Sequence, residues 1–167
     1  MREKISLVVK EAISYDLGDP RRINHFLKVF SFAKSIGEIE KLDEKMQYIL
    51  EIAAVLHDIG IKLSEEKYNS SAGNYQEIEG PPIAEKILLK LGIEEDIIER
   101  VCYLVGHHHR YKEIDNIDYQ ILIEADFLVN IYEDNIGKEQ IKLIRDKYFK
   151  TKTGIEFLVK MYLENVS

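Results

Sequence analysis

The stretch "AAVLHDIG" (Ala53–Gly60) decides how this sequence is read. Four small or apolar residues run into a histidine and an aspartate side by side. Extended backwards, Ile49 to Leu56 is apolar nearly all round, the mark of a helix buried on every side. Asp43 is a natural cap at its start. His57 and Asp58 therefore sit at the end of a central helix, and Gly60 is expected to close it. A last-turn histidine can simply cap carbonyls, so the pair gains meaning only from what joins it.

Working outward, the helical period recurs almost everywhere. Ile5, Val8, Val9, Ala12 and Ile13 form one stripe at helical spacing. In "GDPRRINHFLKVFSFAKSIGE", Asp19 is a cap and Pro20 suits a first helical position. Ile23, Phe26, Leu27 and Phe30 carry the period, and Gly37 is expected to stop it. "PPIAEKILLKLG" reads as a helix opened by Pro81 and Pro82 and closed by Gly92. "EEDIIERVCYLVGHHHR" has acids in its first turn and His and Arg in its last, complementing the helix dipole. "NIDYQILIEADFLVNIYED" places Tyr119, Leu122, Ile123, Asp126, Phe127 and Asn130 on one stripe. Thr153 and Glu156 have capping-box spacing before the last helix. Residues 64–79, "SEEKYNSSAGNYQEIE", read as one long irregular loop, the kind that often carries function. No alternation of period two appears. The expectation is an all-α chain of seven to eight helices in one compact domain over 1–167, with helices 138–165 packing on the rest. The partly apolar "GIEFLVKMYLENV" covers that core or forms a homodimer face; covering the core is preferred.

Composition bounds the partners. The 167 residues suit one domain, 46% are hydrophobic and 32% charged, and 30 acids against 23 bases give a net charge of −7. That balance argues against a nucleic-acid polymer as partner. No run approaches the ~20 apolar residues of a membrane span, and no secretory signal opens the chain. A cytoplasmic protein is expected. The one cysteine, Cys102, lies in an apolar helical run and reads as a small buried hydrophobe.

Two residues break apolar faces elsewhere. His25 sits at the edge of the stripe of Ile23, Phe26 and Phe30. Asp126 lies on a buried stripe, where an unpaired carboxylate is expensive. Together with His57 and Asp58 they offer two imidazoles and two carboxylates from three helices. Such a mixed N/O set suits a divalent metal, not a thiolate-type structural site. A metal there lowers the pKa of a coordinated water.

The ordered set of His25, the His57–Asp58 pair and Asp126 resembles the HD-domain superfamily of metal-dependent phosphohydrolases. "LHDIGIK", with Lys62 after the turn, matches the superfamily's frequent extension. The resemblance spans about residues 20–133. It implies that His25, His57, Asp58 and Asp126 bind one metal and that Asp58 bridges to a second. Histidines at the end of a later helix supply further ligands; among His107, His108 and His109 the first two are favoured, with His109 outside or touching substrate. Where many relatives have a histidine at the start of the next helix, this chain has Glu79, a carboxylate suited to a hard ion or to capping the proline-led helix. One or two divalent ions (Fe, Mn, Ni, Co, Zn or Mg) are expected. Lys62, His109 and Arg110 are expected on a phosphate, with Asp58 and Lys62 catalytic; Arg21 and Arg22, about a turn before His25, either face the site or form a solvated helix start, the latter preferred. The implied activity is hydrolysis of a phosphomonoester or phosphoanhydride of a nucleotide or other small phosphorylated metabolite, by metal-activated hydroxide. The alternatives are a di-iron oxygenase on the same fold and a non-catalytic, metal-stabilised helical binding or regulatory module.

Overall fold

Helix caps divide the chain where the sequence places several of them. The Asp19 side chain accepts from the Arg22 N–H, with Pro20 as first helical residue, and Asp43 accepts from the Met46 N–H. The computed structural model describes residues 2–165. Eight helices of eight or more residues follow in order: α1 (Arg2–Tyr15), α2 (Pro20–Ile39), α3 (Glu44–Leu56), α4 (Ile61–Tyr68), α5 (Gly73–Lys90), α6 (Glu95–His107), α7 (Ile117–Glu133) and α8 (Lys138–Tyr148). A short α9 (Lys152–Leu158) runs into a π turn (Val159–Leu163). No strand occurs among the described residues, so the protein is all-α as its periodicity implies. No helix among them is long and apolar enough to cross a membrane.

The core lies along α3 and α7. Every residue from Tyr48 to Leu56 is buried, as are twelve residues of α7. α2 packs on both, α6 packs on α3, α5 on α6 and α4 on α5. The C-terminal segment lies on α7. The Tyr162 hydroxyl donates to the Leu128 carbonyl, and Leu158 is fully buried. Glu124, buried in α7, accepts from Gln120 Nε2 and Thr151 Oγ1, each at 2.7 Å. Burial pushes its carboxyl up against those donors.

Local signals are overridden in several places. Residues 64–79 are not one irregular loop: α4 extends to Tyr68, α5 begins at Gly73, and only 69–72 lie between. The segment is polar because α4 is short and its second half is exposed, so it shows little apolar stripe. Pro81 and Pro82 lie inside α5, not at its start. A proline inside a helix costs roughly 3 kcal/mol or more, so the packing of α5 along α6 must outweigh the local penalty. Gly37 does not end α2; it lies against Gln47 and Leu50 of α3, and the chain turns instead at Lys41, with φ of 61°. The cap of α9 is Thr151, which accepts from the Gly154 N–H, whereas Thr153 donates to Glu40. Gly60 does not close α3, whose last helical residue is Leu56; it is the residue before α4.

Candidate metal centre

α3 ends at Leu56, and His57 is its C-cap residue. The turn before α4 then carries Asp58 to the same side as His25 of α2 and Asp126 of α7. His25 Nε2 lies 3.2 Å from His57 Nε2, from Asp58 Oδ2 and from Asp126 Oδ1. His57 Nε2 lies 3.3 Å from Asp58 Oδ2 and 3.4 Å from Asp126 Oδ1. The far side of each ring is committed. His57 Nδ1–H donates to the Ala54 carbonyl at 2.8 Å, and His25 Nδ1–H to Glu133 Oε2 at 3.0 Å. With Nδ1 the donor, both Nε2 atoms present lone pairs. Four acceptors therefore converge from α2, α7 and the turn after α3, and Asp126 Oδ1 is buried with no hydrogen-bond partner.

Only positive charge reconciles such a set. Without a cation, protons would have to supply it. Burial opposes charge on His25, but the Asp126 and Asp58 carboxylates hold it up at about 9. Burial likewise opposes charge on His57, yet Asp58 and Asp126 hold it well above its usual value. Asp58 and Asp126 are driven below the usual carboxylate range, against their own burial, by the imidazoles around them. Ligand atoms about 2.1 Å from a shared ion and 90–109° apart are roughly 3.0–3.4 Å from each other. The donor set and its spacing fit a divalent ion.

A second group shares Asp58. Its Oδ1 lies 3.3 Å from His108 Nε2, and that nitrogen is buried without a hydrogen-bond partner. His108 Nδ1–H donates to the Val105 carbonyl at 2.9 Å. His109 completes the group. The Gln76 amide donates its Nε2 to the Ser71 carbonyl at 2.6 Å, which turns its Oε1 toward His109 Nε2 at 3.0 Å. His109 Nε2 must then be the donor, and Nδ1 carries the lone pair. Burial and neighbouring His108 push His109 down to about 4, so its ring is neutral at pH 7. The turn that presents this pair is tied to α7: the hydroxyl of fully buried Tyr119 meets the His107 carbonyl and, at 2.7 Å, the Arg110 carbonyl.

Several expected residues are placed elsewhere. His107 is the last residue of α6; its Nδ1–H donates to the Tyr103 carbonyl and its ring stacks on Tyr103. The ring stays with the helix, while His108 and His109 lie in the turn beyond, so His109 stands where His107 was expected. Glu79 is engaged by Lys67 at 3.1 Å and the Tyr68 hydroxyl at 2.8 Å, and fastens α4 to α5. Lys62 Nζ donates to the Tyr15 carbonyl at 3.0 Å and lies over the Tyr15 ring, drawn to the carbonyl end of α1. Arg110 pairs with Glu77 at 3.0 Å. Cys102 is half-buried, its Sγ facing the Pro81 carbonyl.

The centre opens into a cleft of about 450 Å³ whose walls include His25, Asp58, Arg21 and Arg22, within the usual range for small-molecule sites. Arg22 is held loosely, 3.5 Å from Asp19 and 3.4 Å from Glu65. Beside the cleft, the turn after Asp58 and α5 meet backbone to backbone. A Cβ on Gly60 would lie 2.7 Å from the Gly80 nitrogen and 2.9 Å from the Gln76 carbonyl oxygen. Glycine at 60 lets α5 close on the turn that follows Asp58. Gln76 and Glu133 carried no signal in the sequence, Tyr119 was read only as part of an apolar stripe, and Arg22, one turn before His25, was read as a solvated helix start.

Residues 22–145 match the family model of the HD domain. The chain belongs to the HD-domain family. The crystal structure of a predicted HD superfamily hydrolase from an uncultured Thermotogales bacterium superposes on this HD domain with a TM-score of 0.63 and 26% identity, covering 96% of this chain and 83% of that one. No curated protein matches it. Family and structural neighbour point to a metal-dependent hydrolase, and the His/Asp groups of this HD domain could hold a divalent metal.

Proposed function

We propose that this HD domain is a metal-dependent phosphohydrolase that cleaves a phosphate ester or anhydride of a small metabolite. The observation that carries the reading is the convergence of four acceptors, one of them a buried orphaned oxygen, at the base of a cleft with two arginines. His25, His57, Asp58 and Asp126 would hold a first ion, and Asp58, His108 and His109 a second. A divalent ion bound there would supply Lewis acidity toward a phosphoryl oxygen and a hydroxide at neutral pH.

The protein's own groups do the rest. Asp58 faces both groups of ligands, so it is placed to orient the attacking water and take its proton. Glu133 and the Ala54 carbonyl fix the His25 and His57 rings, and Gln76 fixes that of His109. His109, neutral at pH 7, serves as a ligand and not as the acid for the leaving group. Arg22 takes the phosphate-binding role expected of Lys62, since its long contacts to Asp19 and Glu65 are readily exchanged for a phosphate oxygen. Five carboxylates line the cleft against two arginines, so an anionic substrate depends on the cations for its place.

The test is phosphate release. Chelator-stripped protein, reloaded with Mn²⁺, Co²⁺, Ni²⁺, Fe²⁺, Zn²⁺ or Mg²⁺, is assayed against a panel of phosphorylated metabolites. Release that requires metal and is lost in Asp58→Asn is expected. Silence across the panel in metal-loaded protein overturns the proposal, and oxygen consumption by the iron form would favour the oxygenase alternative.

A further inference from the structure

The cleft walls carry chemistry that the metal ligands do not use. Ser71 Oγ and the Asn130 side-chain amide make no hydrogen bond among the described residues, and the Asp134 carboxylate has no ion-pair partner among them. The Glu65 carboxylate is held only by Arg22, at 3.4 and 3.5 Å. All four line the same cleft as His25 and Asp58. Together they offer a hydroxyl, an amide with both donor and acceptor, and two carboxylates that only accept. The group that satisfies such a set is one carrying several hydroxyls, each able to donate to a carboxylate and accept from an amide or serine. Ile61 is the one aliphatic residue among the lining residues, and apart from the His25 imidazole, committed to the ligand group, none of them is aromatic. A nucleobase, which gains its affinity from an aromatic or apolar face to stack on, finds no such face there.

Charge narrows the phosphate as well. Six carboxylates, counting Asp126, face two arginines around the centre. Two divalent ions would just offset that excess. A monoester then leaves the site about two negative charges in excess; a triphosphate leaves about twice as many, against a rim that includes Glu65 and Asp134.

We infer that the substrate is a polyhydroxylated phosphomonoester, a sugar or polyol phosphate, with the phosphate at the metals and the hydroxyls toward Ser71, Asn130, Glu65 and Asp134. The inference rests on the hydrolase reading for the placing of the phosphate. In the reaction, water adds to phosphorus, the P–O(sugar) bond breaks, and the sugar alkoxide leaves with a proton, giving inorganic phosphate and the free polyol.

The test compares three probes on Mn²⁺-loaded protein: ribose 5-phosphate, AMP and phenyl phosphate. AMP adds a base to the same sugar phosphate, and phenyl phosphate removes the hydroxyls. Dissociation constants are measured by competition calorimetry, and phosphate release separately. Ribose 5-phosphate is expected to bind about tenfold or more tighter than either, the equivalent of roughly two net hydrogen bonds. Asn130→Ala is expected to narrow its advantage over phenyl phosphate at least threefold while the protein remains folded by circular dichroism. AMP or phenyl phosphate binding as well as ribose 5-phosphate, an unchanged ratio in Asn130→Ala, or no binding of any probe would overturn the inference. Binding in the expected order without phosphate release would leave it standing and overturn the hydrolase reading instead.

Discussion

Replacing Gly60 with alanine would place a methyl group 2.7 Å from the Gly80 nitrogen, 2.9 Å from Gly80 Cα and 2.9 Å from the Gln76 carbonyl oxygen. All three are backbone atoms of α5, so no side chain can swing aside. Restoring an ordinary 3.4 Å contact requires α5, or the turn after Asp58, to move out by about 0.7 Å. Overpacking of this kind costs roughly 1–3 kcal/mol. For a chain of this size each kcal/mol lowers Tm by about 2–4 °C, so a fall of about 2–12 °C is expected in a thermal melt. The displacement also reaches the second ligand group, because Gln76 on α5 orients His109. Loss of such a supporting hydrogen bond weakens metal affinity roughly 10–100-fold, which calorimetric titration with Mn²⁺ would read. Gly137→Ala is the control, since a Cβ there meets nothing within 4 Å. If Gly60→Ala matches Gly137→Ala in both Tm and metal affinity, the close approach of turn and helix does not support the second ligand group.

Two further substitutions probe the supports of the site. Tyr119→Phe removes the hydroxyl shared by the His107 and Arg110 carbonyls; weaker binding of the second ion by roughly tenfold, with the first unchanged, is expected in a two-site calorimetric fit, and equal loss at both sites would count against the role assigned to Tyr119. Asp16 is buried with Oδ1 unpartnered, and burial, opposed by Arg22, pushes its carboxyl up to about 6 from 3.8. The folded state therefore holds this proton more tightly than the unfolded chain. The stability it confers is complete below about pH 4 and is lost as pH rises toward 6. Asp16→Asn should thus be the more stable protein at pH 7.5, by at most about 3 kcal/mol, with the gap closing near pH 4; a gap independent of pH would contradict this.

The first ligand group was legible because each member interrupts an apolar pattern. His25 and Asp126 break helical stripes, and His57–Asp58 ends the most buried helix. Their cost in a core is what made them conspicuous. The second group depended on where α6 stops. Three consecutive histidines differ by 100° steps only while the helix lasts, and the sequence does not mark His107 as its last residue. Lys62 illustrates the same limit: its position one turn past the pair pointed to a phosphate, but the free carbonyls at the end of α1 attract its ammonium. α4 and the first half of α5 were hidden because polar, half-exposed helices lack a stripe, and because prolines mark helix starts only when packing does not carry the helix through them. Gln76 and Glu133 were invisible for a further reason: the contacts that define them join residues distant in sequence.

The most direct test of the account is a divalent-ion titration of chelator-stripped protein, wild type beside His57→Ala, with circular dichroism recorded on both. The account predicts saturable binding of at least one ion per chain by the wild type, and loss of first-site binding in a variant that keeps its helical spectrum. A wild type that binds no ion, or a His57→Ala protein that binds ions as well as the wild type, would contradict it.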